Sequence, residues 1–254
     1  MEKIKVLRNL RLSERIYLLE LPKKGSLLDI KPGQFLKIKL HDLRYDPLFP
    51  RPFTVHSLEE GTLKILYQVV GRGTHALSRI SQGEEISVLG PLGRPYPEDL
   101  DFPLALCAGG VGVAGFGFFL ERLKEELRKK TILYYGAKTS QDLVRLDYFK
   151  AFGIEIKITT EDGTLGEKGF VTDLLERDIR EGKIKTILSC GPMPMLKVVK
   201  ELSEKYGIKT YLSLETFMAC GTGFCKGCVI KKKDGGYFHL CEDGPTLSAW
   251  EVIL

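Results

Sequence analysis

Four of the six cysteines in this chain fall between positions 220 and 241, spaced Cys220-x4-Cys225-x2-Cys228-x12-Cys241. The segment that carries them, after Tyr211, is too short to bury a core of its own, so a bound metal must supply folding free energy there. The remaining two, Cys107 and Cys190, sit in apolar, strand-like runs. This distribution favours a metal site in a reducing compartment over three disulfides.

The first cysteine intervals match the plant-type ferredoxin pattern, in which one loop wraps a 2Fe-2S cluster in thiolate ligands. Glycines at 221, 223 and 227 suit such a loop, because backbone must come close to the inorganic sulfides and adopt φ values that a side chain obstructs. Structural zinc also accepts four thiolates, but its sites usually show two short Cys pairs separated by a longer loop. Here three ligands share one loop and the fourth stands alone, which favours iron-sulfur and leaves zinc as the alternative. The intervening Lys231-Lys-Lys-Asp-Gly-Gly236 reads as a hairpin tip with Asp234-Gly235 as its turn and its lysines solvated.

The chain has 254 residues, more than a usual single domain of roughly 100 to 150 residues. Up to about residue 100 the pattern is short and alternating, as in 34–40 and 62–70, with turns at Lys31-Pro-Gly33, Glu60-Gly61 and Gln82-Gly83, which predicts a small closed antiparallel β-barrel. From Phe102 buried strands alternate with helices. Strands are expected over 104–108, 132–136, 154–159 and 186–190, with helices after Gly112, over 171–176 and over 192–206, an α/β parallel sheet. The helix after Gly112 should bury Val113, Phe116, Leu120, Leu123 and Leu127 and leave Glu121, Lys124, Glu125 and Arg128 to solvent. The expected domains are 1–100, 101–212 and 213–254.

Lys plus Arg number 38 against 33 Asp plus Glu, an excess spread along the chain, so nucleic-acid binding is not indicated. The opening Met1-Glu-Lys-Ile-Lys-Val lacks the apolar region of a secretory signal, and the most apolar stretch, 104–120, is short and broken by glycines. A cytoplasmic location with no membrane span is the expectation.

Two further signatures point to cofactors. Arg51-Pro-Phe-Thr54 opens a strand, and Gly71-Arg-Gly-Thr74 precedes a helical run expected over 76–80, where bare glycines and a helix start suit a phosphate. Leu104-Ala-Leu-Cys-Ala-Gly-Gly-Val-Gly112 is strand, glycine turn and helix, a nucleotide-binding arrangement without the full G-x-G-x-x-G. Cys190-Gly-Pro192 breaks a strand at the carboxyl edge of the same sheet. Taken singly, each is as readily a turn, a helix start or a buried small residue.

In their order along the chain these motifs resemble the ferredoxin-reductase superfamily, and with the C-terminal cysteine loop they resemble the electron-transfer subunits of class 1B dihydroorotate dehydrogenase. The likeness runs through Arg51-Pro-Phe-Thr54, Gly73-Thr74, Gly90-Pro-Leu-Gly93, Gly109-Gly-Val-Gly112, Cys190-Gly-Pro192 and Leu214-Glu-Thr-Phe-Met-Ala-Cys220 through Cys228. It implies that Arg51, Pro52, Phe53 and Thr54 hold FAD, with Leu66, Tyr67 and Gln68 lining it and Gly73 and Thr74 at its pyrophosphate. It implies NAD over Gly110, Val111, Gly112 and Val113, with Cys190 and Gly191 near the reactive ring, and a cluster on Cys220, Cys225, Cys228 and Cys241. A separate FMN-containing catalytic subunit, two copies of each chain in a heterotetramer, and electron flow from cluster to FAD to NAD+ are implied with it. The chain departs from the family pattern at Phe53 and Thr54, where Ile-Ser or Tyr-Ser is common, and at Gly115, where proline is frequent.

No histidine among His41, His56, His75 and His239 is expected to act in catalysis. Phe217, Met218 and Phe224 are candidate contacts with a partner, and Lys138 would face either a 2′-phosphate or water. The nearest rival is a flavin and iron-sulfur subunit of a ferredoxin-dependent NADP oxidoreductase or sulfide dehydrogenase. Such relatives often carry Asp at the first cluster position, where this chain has Cys220. A non-catalytic scaffold stapled by zinc is the rival of a different class.

Overall fold

The structure is a computed structural model of the full chain, and it describes residues 1–40, 48–59 and 61–254. His41 and Glu60 therefore lie outside the described residues.

The N-terminal strands are β1 (Glu2–Lys5), β2 (Arg8–Arg11), β3 (Ile16–Pro22), β4 (Phe35–Leu40), β5 (Arg51–Thr54), β6 (Ser57–Glu59), β7 (Thr62–Gln68) and β8 (Glu85–Leu92), with a short helix α1 (Arg72–Leu77) before β8. They form two four-stranded antiparallel sheets, ordered β1-β8-β4-β5 and β2-β3-β7-β6. The expected closed barrel is thus replaced by two sheets facing each other. At the corners no strand among the described residues runs from one sheet into the other, and the eight strands divide four and four. Instead the chain steps across between Val6, whose amide bonds Glu84, and Leu7, whose amide bonds Glu20. Ile4, Leu19, Leu21, Leu36, Ile38, Leu63, Ile65, Ile86 and Val88 fill the space between the sheets.

The second half contains β9 (Leu104–Gly109), α2 (Ala114–Arg122), α3 (Glu125–Arg128), β10 (Thr131–Ala137), α4 (Leu146–Lys150), β11 (Glu155–Thr160), β12 (Glu167–Lys168), α5 (Val171–Arg180), β13 (Thr186–Cys190), α6 (Met193–Tyr206) and β14 (Lys209–Ser213). The last elements are β15 (Val229–Lys231), β16 (Tyr237–His239), α7 (Leu240–Asp243) and β17 (Thr246–Ser248). One seven-stranded sheet runs β12-β11-β10-β9-β13-β14-β17, parallel except for β17. All four expected α/β strands are in it. The cysteine segment thus adds an edge strand to the nucleotide-domain sheet, and its Leu214, Leu240, Leu247 and Val252 share a core with α5 and α6. Its hairpin tip turns where expected, with Gly235 and Gly236 both at positive φ.

The helix after Gly112 departs from its expected run. It stops at Arg122, Leu123 and Lys124 are extended, and Arg128 Nε donates 2.8 Å to the Leu123 carbonyl that this break frees. Glu121, expected in solvent, is half-buried and accepts the Leu58 amide at 2.9 Å and the Tyr148 hydroxyl at 2.8 Å. Helix α5 runs beyond the expected 171–176 to Arg180.

Helix α2 joins the halves. Its Phe118 enters the core between the N-terminal sheets, while Phe116 and Phe119 pack with Leu18, Leu66 and Tyr96. Beside it, His56 is fully buried; Nδ1 donates to the Ala114 carbonyl at 2.9 Å and Nε2 accepts Arg145 Nε at 3.3 Å. Burial, with a further push from Arg145, brings this imidazole down to about 3 despite the Ala114 bond. The unfolded chain therefore takes the proton first, and stability falls as pH drops from the ordinary histidine value toward 3. The expected slope is about 1.4 kcal/mol per pH unit for one proton. Urea titrations between pH 7 and 4 should show it, and His56→Gln should flatten it.

Asp178, with 5% side-chain exposure, binds the Tyr134 hydroxyl, Lys157 and Lys183. Burial pushes its carboxyl up, but the bonds from Lys157, Tyr134 and Lys183 outweigh burial and hold it below the usual carboxylate range. That stability is complete above about pH 4 and is lost as pH falls through the lower folded value. Asp178→Ala removes the acceptor of the buried Tyr134 hydroxyl and a shared partner of Lys157 and Lys183, which keep Glu155 and Glu181, and should cost about 1 to 3 kcal/mol at pH 7 by denaturant titration.

Candidate functional site: three adjoining cofactor sites

The cysteine loop leaves β14 through Leu214, whose amide bonds Pro245 O beside β17. Its cysteines differ in burial. Cys228 and Cys241 are buried with Sγ atoms 3.3 Å apart, while Cys220 and Cys225 lie toward the surface. All four are free thiols. Amides point at sulfur: Cys225 and Thr222 donate to Cys220 at 3.3 and 3.4 Å, Gly223 to Cys241 at 3.1 Å, and Cys241 to Cys228 at 3.4 Å. The Cys225 and Thr222 amides bring the Cys220 thiol down to about 6, whereas burial and the Cys228 neighbour push Cys241 up to about 11. A buried thiol of that kind becomes a ligand only when a cation displaces its proton.

This donor set fits a 2Fe-2S cluster. The adjacent Cys228 and Cys241 sulfurs suit one iron centre and leave Cys220 and Cys225 for a second, and the inward amides suit sulfur that carries negative charge. A single zinc ion asks for four sulfurs about one point. Among the described residues no three Cys, His, Asp or Glu side chains are gathered closely enough to hold one ion.

Under the loop lies Lys37 of β4, fully buried, with Nζ donating to the carbonyls of Met218 (3.1 Å) and Ala219. Burial lowers its pKa against the upward pull of the Cys220, Cys225 and Cys241 sulfurs, and Arg51 lowers it further. The module also docks through Arg94, whose amide bonds Gly244 O at 2.6 Å and whose Nε bonds Glu242 O at 3.0 Å.

Strand β5, the expected flavin strand, pairs with β4 so that Pro52 stands opposite Lys37 and Phe53 opposite Leu36. Arg51, Phe53 and Gly73 line one surface depression floored by Ile38 and Leu77. Tyr67 meets the Phe53 ring edge-on at 5.8 Å, but its hydroxyl is taken by Asn9 at 3.1 Å. Leu66 is placed otherwise: its side chain is buried in the core shared with α2. The helix expected over 76–80 starts earlier, at Arg72, because the Thr74 hydroxyl accepts the Val70 and Gly71 amides at 3.0 and 3.1 Å. Gly73 and Thr74 therefore sit within its first turn.

The nucleotide turn, Gly110–Val113, is a 3-10 turn between β9 and α2. Its backbone touches that of the Cys190-Gly191 turn at the carboxyl end of the neighbouring strand β13: a Cβ on Gly112 would lie 2.3 Å from Cys190 O, and one on Gly191 2.9 Å from Gly109 N. Gly112, Cys190 and Gly191 are thus brought together with Gly109, Gly110 faces open space, and Val113 turns into the core at 0% exposure. Burial pushes the Cys190 thiol up to about 12. Gly115 leaves room where a side chain would strike the Tyr96 hydroxyl at 2.5 Å and approach Thr54 Oγ1 at 3.4 Å. The flavin strand and the nucleotide helix therefore meet at Thr54 and Gly115.

Sequence reasoning missed Lys37 and Tyr96. Alternation in Phe35-Leu-Lys-Ile-Lys39 marks Lys37 only as a solvent-side residue, and nothing local marks Tyr96.

Family models match three consecutive stretches: an oxidoreductase FAD-binding domain at residues 3–96, an oxidoreductase NAD-binding domain at 106–201, and the iron-sulfur cluster binding domain of dihydroorotate dehydrogenase B at 215–253. The chain is 38% identical over 251 residues to the dihydroorotate dehydrogenase B (NAD(+)) electron transfer subunit homolog of Aquifex aeolicus, covering 98% of this chain and 97% of that one. It is 37% identical over 254 residues to the corresponding electron transfer subunit of Caldanaerobacter subterraneus, covering 99% and 98%. A solved structure of an NADH-dependent reduced ferredoxin-NADP oxidoreductase superposes with a TM-score of 0.85 at 28% identity, covering 100% of this chain and 90% of that one. A ferredoxin NADP+ reductase from Neisseria gonorrhoeae shares the fold, with a TM-score of 0.65 at 18% identity, 81% and 91% covered. The order of FAD-binding, NAD-binding and iron-sulfur cluster binding domains is thus that of a ferredoxin-reductase-like oxidoreductase component, and the chain belongs to the family of dihydroorotate dehydrogenase B electron transfer subunits.

Proposed function

We propose that this chain relays electrons from a separate FMN-containing dihydroorotate dehydrogenase subunit to NAD+, in the cytoplasm, within an assembly of two copies of each chain. One observation supports the reading: the elements expected to carry the three sites adjoin one another, with Cys225 at the surface. Helix α2, which follows the nucleotide turn, meets the expected flavin strand at Gly115 and Thr54, and that strand's neighbour β4 meets the cysteine loop through Lys37. When bound, the cluster passes single electrons, the flavin passes one or two, and the nicotinamide accepts two as hydride.

The residues have distinct tasks in this scheme. Cys220, Cys225, Cys228 and Cys241 would hold the cluster. Arg51, Pro52, Phe53, Thr54, Tyr67 and Gln68 would hold FAD, Leu66 would contribute backbone only, and Gly73 and Thr74 would offer amides to its pyrophosphate. Gly110, Val111, Gly112, Cys190 and Gly191 would seat NAD, with Val113 buttressing the turn from the core. The boundaries 1–100, 101–212 and 213–254 separate these tasks along the chain.

The partner would dock over Cys220 and Cys225. Phe217 is 96% and Phe224 91% exposed on either side of Cys220, the kind of bare aromatic surface that interfaces use. Met218, between them in sequence, packs inward instead. No helix among the described residues is long and apolar enough to cross a membrane.

Coexpression with an FMN-containing candidate subunit tests the reading, which expects dihydroorotate-dependent NAD+ reduction by the purified complex. No such activity would overturn it. The full-length likeness to the ferredoxin-NADP oxidoreductase structure supports a second reading, and reduction of NADP+ by reduced ferredoxin in the same preparation would favour that one.

A further inference from the structure

Lys37 is fully buried, and lysine is almost never found so without a compensating partner. Among the described residues it makes no ion pair with a carboxylate; its Nζ bonds only the main-chain carbonyls of Met218 and Ala219, the two residues before Cys220. The groups that can offset its charge once ionised are the sulfurs of Cys220, Cys225 and Cys241. The loop is shaped around this side chain. Gly221 has φ +78°, and a Cβ there would stand 2.5 Å from Lys37 Cδ. Facing Lys37 across the sheet is Pro52 of the flavin strand, so the lysine stands between the two sites.

We propose that Lys37 is the built-in counter-charge of the cluster, a positioning residue that fixes the Cys220 loop through two carbonyls and raises the cluster's reduction potential. The inference rests on the 2Fe-2S reading of the four cysteines. A cluster held by four thiolates is anionic and gains one more negative charge on reduction. A fixed cation close by favours the reduced form, and with solvent excluded its field is little screened. The same pairing explains how the lysine tolerates burial: its charge is balanced once the thiols are ligated as thiolates.

The test is an EPR-monitored redox titration of the holoprotein and of two variants. Lys37→Met keeps the bulk and removes the charge; its cluster midpoint should fall by at least the equivalent of a tenfold change in the one-electron equilibrium, about 59 mV. Lys37→Arg keeps the charge and should hold a midpoint close to that of the unaltered protein. An unchanged midpoint in Lys37→Met, or an equal fall in Lys37→Arg, would overturn the proposal. EPR reports only the loaded chains, so partial loss of iron does not obscure the reading. If Lys37→Met holds no cluster at all, recovery of iron and sulfide in Lys37→Arg supports the counter-charge and failure to recover overturns it. Unaltered protein without iron or sulfide would remove the 2Fe-2S reading instead, a failure seen before any variant is made.

Discussion

Cys228→Ala is expected to strip the chain of iron and acid-labile sulfide and to cut electron delivery to NAD+ by more than about 100-fold. Residues that merely support a metal ligand cost about 10- to 100-fold when altered, and Cys228 is one of the four proposed donors, 1% exposed and 3.3 Å from Cys241 Sγ. The variant should also unfold more readily, because Cys228 and Cys241 lie in the core that the module shares with α5 and α6, so that metal binding and folding are linked there. Iron and sulfide assays with a thermal melt check this. Cys107→Ala is the control: equally buried, but in β9 and outside the cysteine loop, it should leave the iron content unchanged.

Gly112→Ala is expected to damage the nucleotide half severely for a single added methyl group. Its Cβ would lie 2.3 Å from the Cys190 carbonyl oxygen and 2.6 Å from its carbon, both backbone atoms that no rotamer change can clear. Forcing the two turns apart should cost about 3 kcal/mol, which in a chain of this size lowers Tm by about 6 to 12 °C, and NAD+ binding should weaken with it. Gly110→Ala offers the contrast, since its Cβ meets nothing within 4 Å and only the φ of +54° opposes it. That substitution should cost about 1 to 2 kcal/mol. Calorimetry and NAD+ titration of the two variants separate steric from conformational demand.

What the sequence made legible was local. The cysteine spacing marks a loop, and the glycines at 221 and 223 do adopt positive φ, whereas Gly227 does not and its neighbour Lys226 does. The apolar runs at 104–108 and 186–190 mark adjacent central strands because both faces are covered, leaving no alternation to read. Long-range coverage was not legible. Period-two alternation assigns Phe35 and Lys37 to one face of β4 correctly, but cannot say that the cysteine module, almost two hundred positions later, covers that face and buries the lysine. Glu121 shows the same limit: it sits on the polar side of α2 by helical spacing, yet β6 and Tyr148 close over it. Barrel closure failed as an expectation for a related reason, since strand pattern fixes pairing but not whether corners between short strands let two sheets join.

The central claim is that these four cysteines hold two bridged irons beside a bound flavin. Iron, acid-labile sulfide, zinc and flavin quantified on the as-purified protein, with its visible spectrum, test that most directly. The account predicts two irons, two sulfides and one FAD per chain, the content of a single 2Fe-2S centre and a single flavin site. A colourless protein carrying zinc without sulfide would contradict it.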